Sequence, residues 1–116
     1  MMKKAYHLTQ CSTCKRILNE VNWKGQLQDI RTEKISADQL DNMAKMSGSY
    51  ESLFNRRALK YKLIRLKNKV LSEKNYRKLI LEEDTFLKRP VFIVNEKIFV
   101  GNSKKTIESL SSTLNE

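Results

Sequence analysis

The sequence predicts an α/β fold: a four-stranded mixed sheet flanked by helices, with a helical block inserted between its two halves. Three observations predict it. A short strand pattern, Ala5-Tyr6-His7-Leu8, runs straight into a helical period at Cys14, Ile17, Leu18 and Val21. Near the other end the period changes to that of strands, with Pro90-Val91-Phe92-Ile93-Val94 and Lys97-Ile98-Phe99-Val100 separated by Asn95-Glu96, a hairpin by its spacing. Between these halves, residues 36–87 read mostly as helix. The 116 residues are enough for one compact domain with its own core. Residues 1–35 and 88–116 are expected to form the sheet core, and 36–87 the insertion.

The elements follow in order. The first helix is expected to end near Trp23-Lys24-Gly25, with Gly25 as its stop. Residues 26–31, with Leu27 and Ile30, read as the second strand. Ser36-Ala37-Asp38-Gln39 is a capping box, because Ser36 can take the amide of the third helical residue while Gln39 reaches back. Leu40, Met43 and Ala44 then mark the apolar stripe of a helix ending before Ser47-Gly48. Another helix is predicted to open around Ser49-Tyr50-Glu51 and to carry Leu53, Phe54 and Ala58. Residues 58–70 mix apolar and basic side chains and read as helix with a break near Lys67-Asn68. Ser72-Glu73 starts a further helix, with Tyr76, Leu79, Ile80 and then Phe86-Leu87 on its face. Pro90 stands at the entrance of the hairpin, where a missing N–H removes no ladder bond. Ser103 caps a last helix carrying Ile107, Leu110 and Leu114.

Composition narrows the functional classes. No run of 18 apolar residues exists, so no membrane span is expected. The start, Met1-Met2-Lys3-Lys4-Ala5-Tyr6-His7, has basic residues but no apolar stretch of a secretory signal, and a cytoplasmic location is the expectation. The net charge is +10, and the segment from Arg56 to Lys78, with ten basic side chains and the single acid Glu73, carries +9 of it. Such a patch suits an anionic ligand or an acidic protein surface, or is a solvated face that keeps the protein soluble. No helix-turn-helix signature or basic-aromatic platform points to direct nucleic-acid binding.

The chemistry concentrates in His7-Leu8-Thr9-Gln10-Cys11-Ser12-Thr13-Cys14-Lys15-Arg16, which holds both cysteines and the single histidine. Cys11 is placed in a strand-to-helix turn. A helix start offers unpaired N–H donors and about half a positive charge, and Lys15 and Arg16 add to it. A thiolate is favoured there. Cys14 lies one helical turn on, close enough to close a disulfide onto Cys11. The pair therefore reads as a thiol site, with Cys11 as attacking thiolate and Cys14 as resolving partner. Two alternatives remain open. A structural zinc site wants four Cys/His ligands, whereas this chain offers three in one segment, and two buried structural cysteines would need no such flanking charge.

Tyr6-His7-x3-Cys11 followed by a helix, Leu53-Phe54-Asn55-Arg56-Arg57, Leu87-Lys88-Arg89-Pro90-Val91 and Val100-Gly101 occur in an order and spacing that resembles the ArsC/Spx family of arsenate-reductase-like proteins. The resemblance covers nearly the whole chain and implies a thioredoxin/glutaredoxin-like fold. It implies that Cys11 is the nucleophile that attacks arsenic in the true reductases, and that His7 helps favour the thiolate. It further implies that Arg89 contacts the bound oxyanion, that Pro90 follows a cis peptide bond, and that Arg57 belongs to an asparagine-basic-arginine motif. For His7 an ordinary strand histidine is the alternative, for Arg57 a member of the solvated basic face, and for Arg89 a surface arginine. The candidate substrate-binding set is Ser12, Thr13, Arg56 and Pro90, and no metal ligands are assigned.

Characterised arsenate reductases of the family carry an arginine close to where Asn102 stands here, and a single cysteine in the loop. The additional Cys14 gives the Cys-x-x-Cys of the Spx-type regulators. Two functions follow. The first is a thiol-dependent oxidoreductase acting on a small oxyanion or a disulfide, with no bound cofactor and with glutathione, thioredoxin or glutaredoxin as reductant. The alternative is an Spx-type regulator that binds RNA polymerase, with a Cys11–Cys14 disulfide as its switch.

Overall fold

The computed structural model describes residues 3–58 and 70–116. The chain divides into two compact units, Met1–Lys34 with Arg89–Glu116, and Ile35–Lys88.

The first unit is built on a four-stranded sheet of order β2-β1-β3-β4. Its strands are β1 (Lys3–His7), β2 (Gln26–Asp29), β3 (Val91–Val94) and β4 (Lys97–Val100). β1 pairs parallel with β2, His7 opposite Asp29, and antiparallel with β3, Ala5 opposite Phe92. The β3–β4 hairpin turns at Asn95, whose φ of 56° is the left-handed geometry that Asn tolerates better than most side chains. α1 (Ser12–Glu20) joins β1 to β2, and a helix at Lys104–Leu114 follows β4. Ala5, Phe92 and Val94 from the sheet, Ile17 and Val21 from the α1 segment, and Ile107 and Leu110 from the last helix form one apolar core. Trp23 closes its edge, tilted against Phe92 at 5.0 Å between ring centroids.

α1 stops earlier than the sequence predicts. Asn22 takes φ 54°, and the Trp23 amide turns back to the Leu18 carbonyl at 3.0 Å, so the helix ends at Glu20 rather than near Gly25. Gly25 serves close approach instead. A Cβ there would lie 2.6 Å from the Lys3 carbonyl oxygen and 2.7 Å from the Trp23 ring. β2 likewise ends at Asp29: the Ile30 amide makes the last parallel ladder bond, to the His7 carbonyl, and the Asp29 carbonyl then takes the Glu33 amide in a turn.

The second unit holds α2 (Ala37–Ser47) and α3 (Glu73–Glu82), so the terminal helix is α4. The Ser36/Gln39 capping box is present at the start of α2, and Gly48 ends it with φ 105°. Ser72 and Asn75 form a second such box on α3. The helix expected around residues 49–58 is absent. Only a single 3₁₀ turn, Glu51–Leu53, forms before Phe54 bridges to Leu87. The extended Phe54 lets its ring meet both Phe86 and Tyr76 at 5.0 Å, an aromatic cluster that a continuous helix would have pulled apart. Phe86 and Leu87 are not on α3; Phe86 ends a 3₁₀ turn, Asp84–Phe86, and Leu87 follows it. Asp41 of α2 receives Arg77 of α3 through Nε at 2.8 Å and also the Tyr50 hydroxyl. The helix expected over residues 58–70 lies outside the described residues.

Candidate active site

Cys11 sits at the junction of β1 and α1. Its amide closes a turn onto the Leu8 carbonyl at 3.0 Å, and its carbonyl accepts the Lys15 amide at 3.1 Å, opening the helix. Its backbone is extended, so it is the N-cap residue, and its sulfur accepts the Cys14 amide at 3.4 Å. A cysteine here fills the role usually held by Ser or Asp. Sulfur rather than oxygen thus takes one of the orphan donors of the helix start.

The environment divides the two thiols. Partial burial pushes the Cys11 thiol up, but the Cys14 amide, the Cys14 thiol, the Arg89 guanidinium and the Thr13 amide together outweigh it, and Cys11 is held below its ordinary value. Cys14 is 0% exposed, and burial pushes its thiol up to about 11. The Leu8 backbone and Arg89 pull Cys14 the other way, while its hydrogen bond to Cys11 and the charge there raise it further. The surroundings thus favour the thiolate form at Cys11 and the protonated thiol at Cys14. Both are free thiols.

Arg89 comes from the far end of the unit, directly before β3, and the Arg89–Pro90 peptide bond is cis. Pro90 is buried, and its carbonyl takes the Gly101 amide at 2.9 Å, tying this bend to the end of β4. Arg89 Nη1 is buried without a hydrogen-bond partner among the described residues. A buried guanidinium N–H without a partner beside a thiolate is suited to an anion that reaches the sulfur. His7, 9% exposed at the end of β1, has its Nδ1 buried and likewise unpartnered among the described residues. Ser12 opens α1 from an exposed position, and Thr13 follows half-buried. Arg16, expected to add charge at the sulfur, turns instead to Glu20 at 3.3 Å.

The remaining candidates belong to the other unit. Arg56 donates from Nη2 to Glu51 at 2.9 Å and to the Tyr76 hydroxyl at 2.7 Å, with its guanidinium over the Tyr76 ring. Its charge is thereby engaged within that unit. Arg57 is exposed, and its amide bonds the Asn55 side chain at 3.0 Å in an Asx turn. Asp29 was not among the sequence candidates, yet its carboxylate takes both the amide and the hydroxyl of Thr9, in the loop that carries Cys11. A lone Asp at a strand end opposite a Thr-containing loop is its only trace in the sequence, and a weak one. Among the described residues there is no group of three or more His, Cys, Asp or Glu that could hold a metal ion, and no helix long and apolar enough to cross a membrane.

A mixed sheet with a two-cysteine helix start facing a cis-proline bend is the architecture of a thioredoxin-like protein. The chain belongs to the ArsC family, which it matches over residues 6–110. Solved structures share the fold. The arsenate reductase of Vibrio cholerae is 17% identical with a TM-score of 0.77, the match covering 95% of this chain and 96% of that one. An ArsC family related protein from Bacteroides fragilis is 24% identical at a TM-score of 0.78, with 95% and 98% covered. A possible arsenate reductase from Streptococcus mutans is 26% identical at 0.72, with 94% and 97% covered. No curated protein sequence matches the chain.

Proposed function

We propose that the protein is a thiol-dependent oxidoreductase of the arsenate-reductase kind, with Cys11 as nucleophile. The observation that carries this reading is the Cys11 sulfur at the N-cap of α1, favoured as thiolate by backbone amides and by Arg89. Membership of the ArsC family and likeness to proteins described as arsenate reductases support it.

A thiolate approaching an oxyanion meets like charge, and Arg89 offsets that repulsion while its Nη1 donates to a substrate oxygen. The amides of the first turn of α1, at Ser12 and Thr13, serve the same anion. The Cys11 sulfur bonds to arsenic as one arsenate oxygen, protonated, leaves as water. A second thiolate then attacks the Cys11 sulfur. The sulfur–arsenic bond breaks, its electron pair stays on arsenic, arsenic(V) becomes arsenic(III), and a disulfide forms. Cys14, one helical turn on and hydrogen-bonded to Cys11, supports a role as that second thiol. Once Cys11 is covalently bound, the hydrogen bond and charge that raise Cys14 are gone and only burial still holds its proton. Glutathione, thioredoxin or glutaredoxin in the cytoplasm returns the disulfide to thiols.

The test is an assay of arsenate and mixed-disulfide reduction with glutathione or thioredoxin, on wild type and Cys11→Ser. Activity in the wild type that falls at least about a thousandfold in the variant is expected, the scale of losing a nucleophile that acts as part of a unit. Reduction of neither substrate by the wild type would defeat the reading.

A further inference from the structure

The thiol site depends on a residue outside the cysteine loop. We propose that Asp29, at the end of β2, is a positioning residue that holds Cys11 in capping geometry by clamping Thr9. This deepens the functional reading above and rests on it for its biological purpose.

The geometry is specific. Register places Asp29 opposite His7, the last residue of β1, and the Ile30 amide bonds the His7 carbonyl at 2.9 Å. From that fixed point the Asp29 carboxylate reaches over the loop. Oδ2 accepts the Thr9 amide at 3.0 Å and also the Thr9 hydroxyl. Oδ1 accepts the Arg31 amide at 2.9 Å, and the Asp29 carbonyl takes the Glu33 amide at 2.8 Å. The carboxylate is therefore locked from its own side before it grips the loop.

Between Thr9 and Cys11 stands only Gln10, and both Thr9 and Gln10 are exposed, with no packing to hold them. A two-residue span transmits displacement at Thr9 directly to the Cys11 sulfur, whose bond to the Cys14 amide at 3.4 Å depends on where that sulfur is held. The Thr9 hydroxyl, followed by the Arg31 amide, holds Asp29 down to about 2, so the clamp stays charged throughout the neutral range.

Position and charge predict opposite signs. As a nearby negative charge, Asp29 would disfavour the thiolate, and its removal would lower the Cys11 pKa. As a clamp it favours the thiolate, and its removal raises that pKa.

The experiment is the pH profile of iodoacetamide alkylation at Cys11, followed by peptide mass spectrometry, with folding checked by circular dichroism. Asp29→Ala should move the midpoint up and slow alkylation at neutral pH about fivefold, the effect of losing one cap-strength bond. Asp29→Asn keeps an oxygen acceptor and should stay within about twofold of wild type. Thr9→Val should follow Asp29→Ala in direction and Thr9→Ser should restore the wild-type profile; this pair decides the matter if Asp29→Ala does not fold. Midpoints unchanged or lowered in both Asp29→Ala and Thr9→Val would overturn the proposal. The readout uses no arsenate. A protein that reduces arsenate while these variants keep the wild-type profile loses the clamp alone. A protein with the shifted profiles but no reductase activity loses the function alone.

Discussion

Arg89 acts on Cys11 from the opposite end of the chain, and its two effects are separable. As a charge it lowers the thiol; as a donor it offers Nη1 to an anion. Arg89→Lys keeps the first and loses the forked geometry. We therefore expect Arg89→Ala to raise the midpoint of Cys11 alkylation, Arg89→Lys to leave it near the wild type, and both to raise the KM for arsenate. A midpoint unmoved in Arg89→Ala would show that the α1 amides alone set the thiol. Much of this site is legible in the residues. A strand running into a helical period places Cys11 at the helix start, whereas Arg89 is marked only by the family resemblance of Leu87-Lys88-Arg89-Pro90-Val91. The Asp29–Thr9 clamp is not legible, since it depends on which β2 residue falls opposite the end of β1, and register is set by pairing in space. Arg16 was misread for a related reason. Its Glu20 partner four residues on is in plain view, and local helix pairing claimed the guanidinium.

At the scale of elements, caps carry much of the definition. α2 and α3 each start on a serine in a reciprocal box, Ser36 with Gln39 and Ser72 with Asn75. Ser36→Ala should cost about 1 kcal/mol, read as a lower urea midpoint with an unchanged slope. A cost near zero would mean that Gln39 alone satisfies the helix start. Boxes and apolar periods make these helices readable in advance. The stretch after α2 is not, because Leu53 and Phe54 fit a helical stripe and a packed bend equally well. The choice falls to tertiary contact: the Asn55 amide on the Phe86 carbonyl at 2.7 Å and the Lys88 amide on the Leu53 carbonyl at 2.8 Å straighten the chain there. Similarly, Asn22 ended α1 where glycine seemed the natural stop, since Asn also adopts the left-handed turn.

For the whole molecule, the two thiols act on stability with opposite signs. Cys11, lowered in the fold, stabilises the folded state above its ordinary pKa, and that contribution fades as pH falls through its folded value. Cys14, raised to about 11, stabilises it below the ordinary thiol range, and that contribution is lost as pH rises through about 11, because the unfolded chain releases this proton earlier. Urea midpoints under reducing conditions should thus show wild type losing its advantage over Cys14→Ala between about pH 8.5 and about pH 11. A constant gap would mean that Cys14 titrates as an open thiol. The succession of elements was legible as a βαβ half and a ββα half; the strand order β2-β1-β3-β4 is set by pairing in space.

That order has a consequence during synthesis. β3 lies at the centre of the sheet beside β1, yet it is made only after the whole of Ile35–Lys88. While a ribosome is still producing that segment, β1 lacks its antiparallel neighbour, Phe92 is not there to cover Ile17, and the Arg89 guanidinium has not yet joined the first cysteine. The nascent Cys-x-x-Cys is then an ordinary pair of open thiols, exposed to any oxidant in its surroundings. Its reactivity becomes selective only when the last quarter of the chain arrives and closes the sheet.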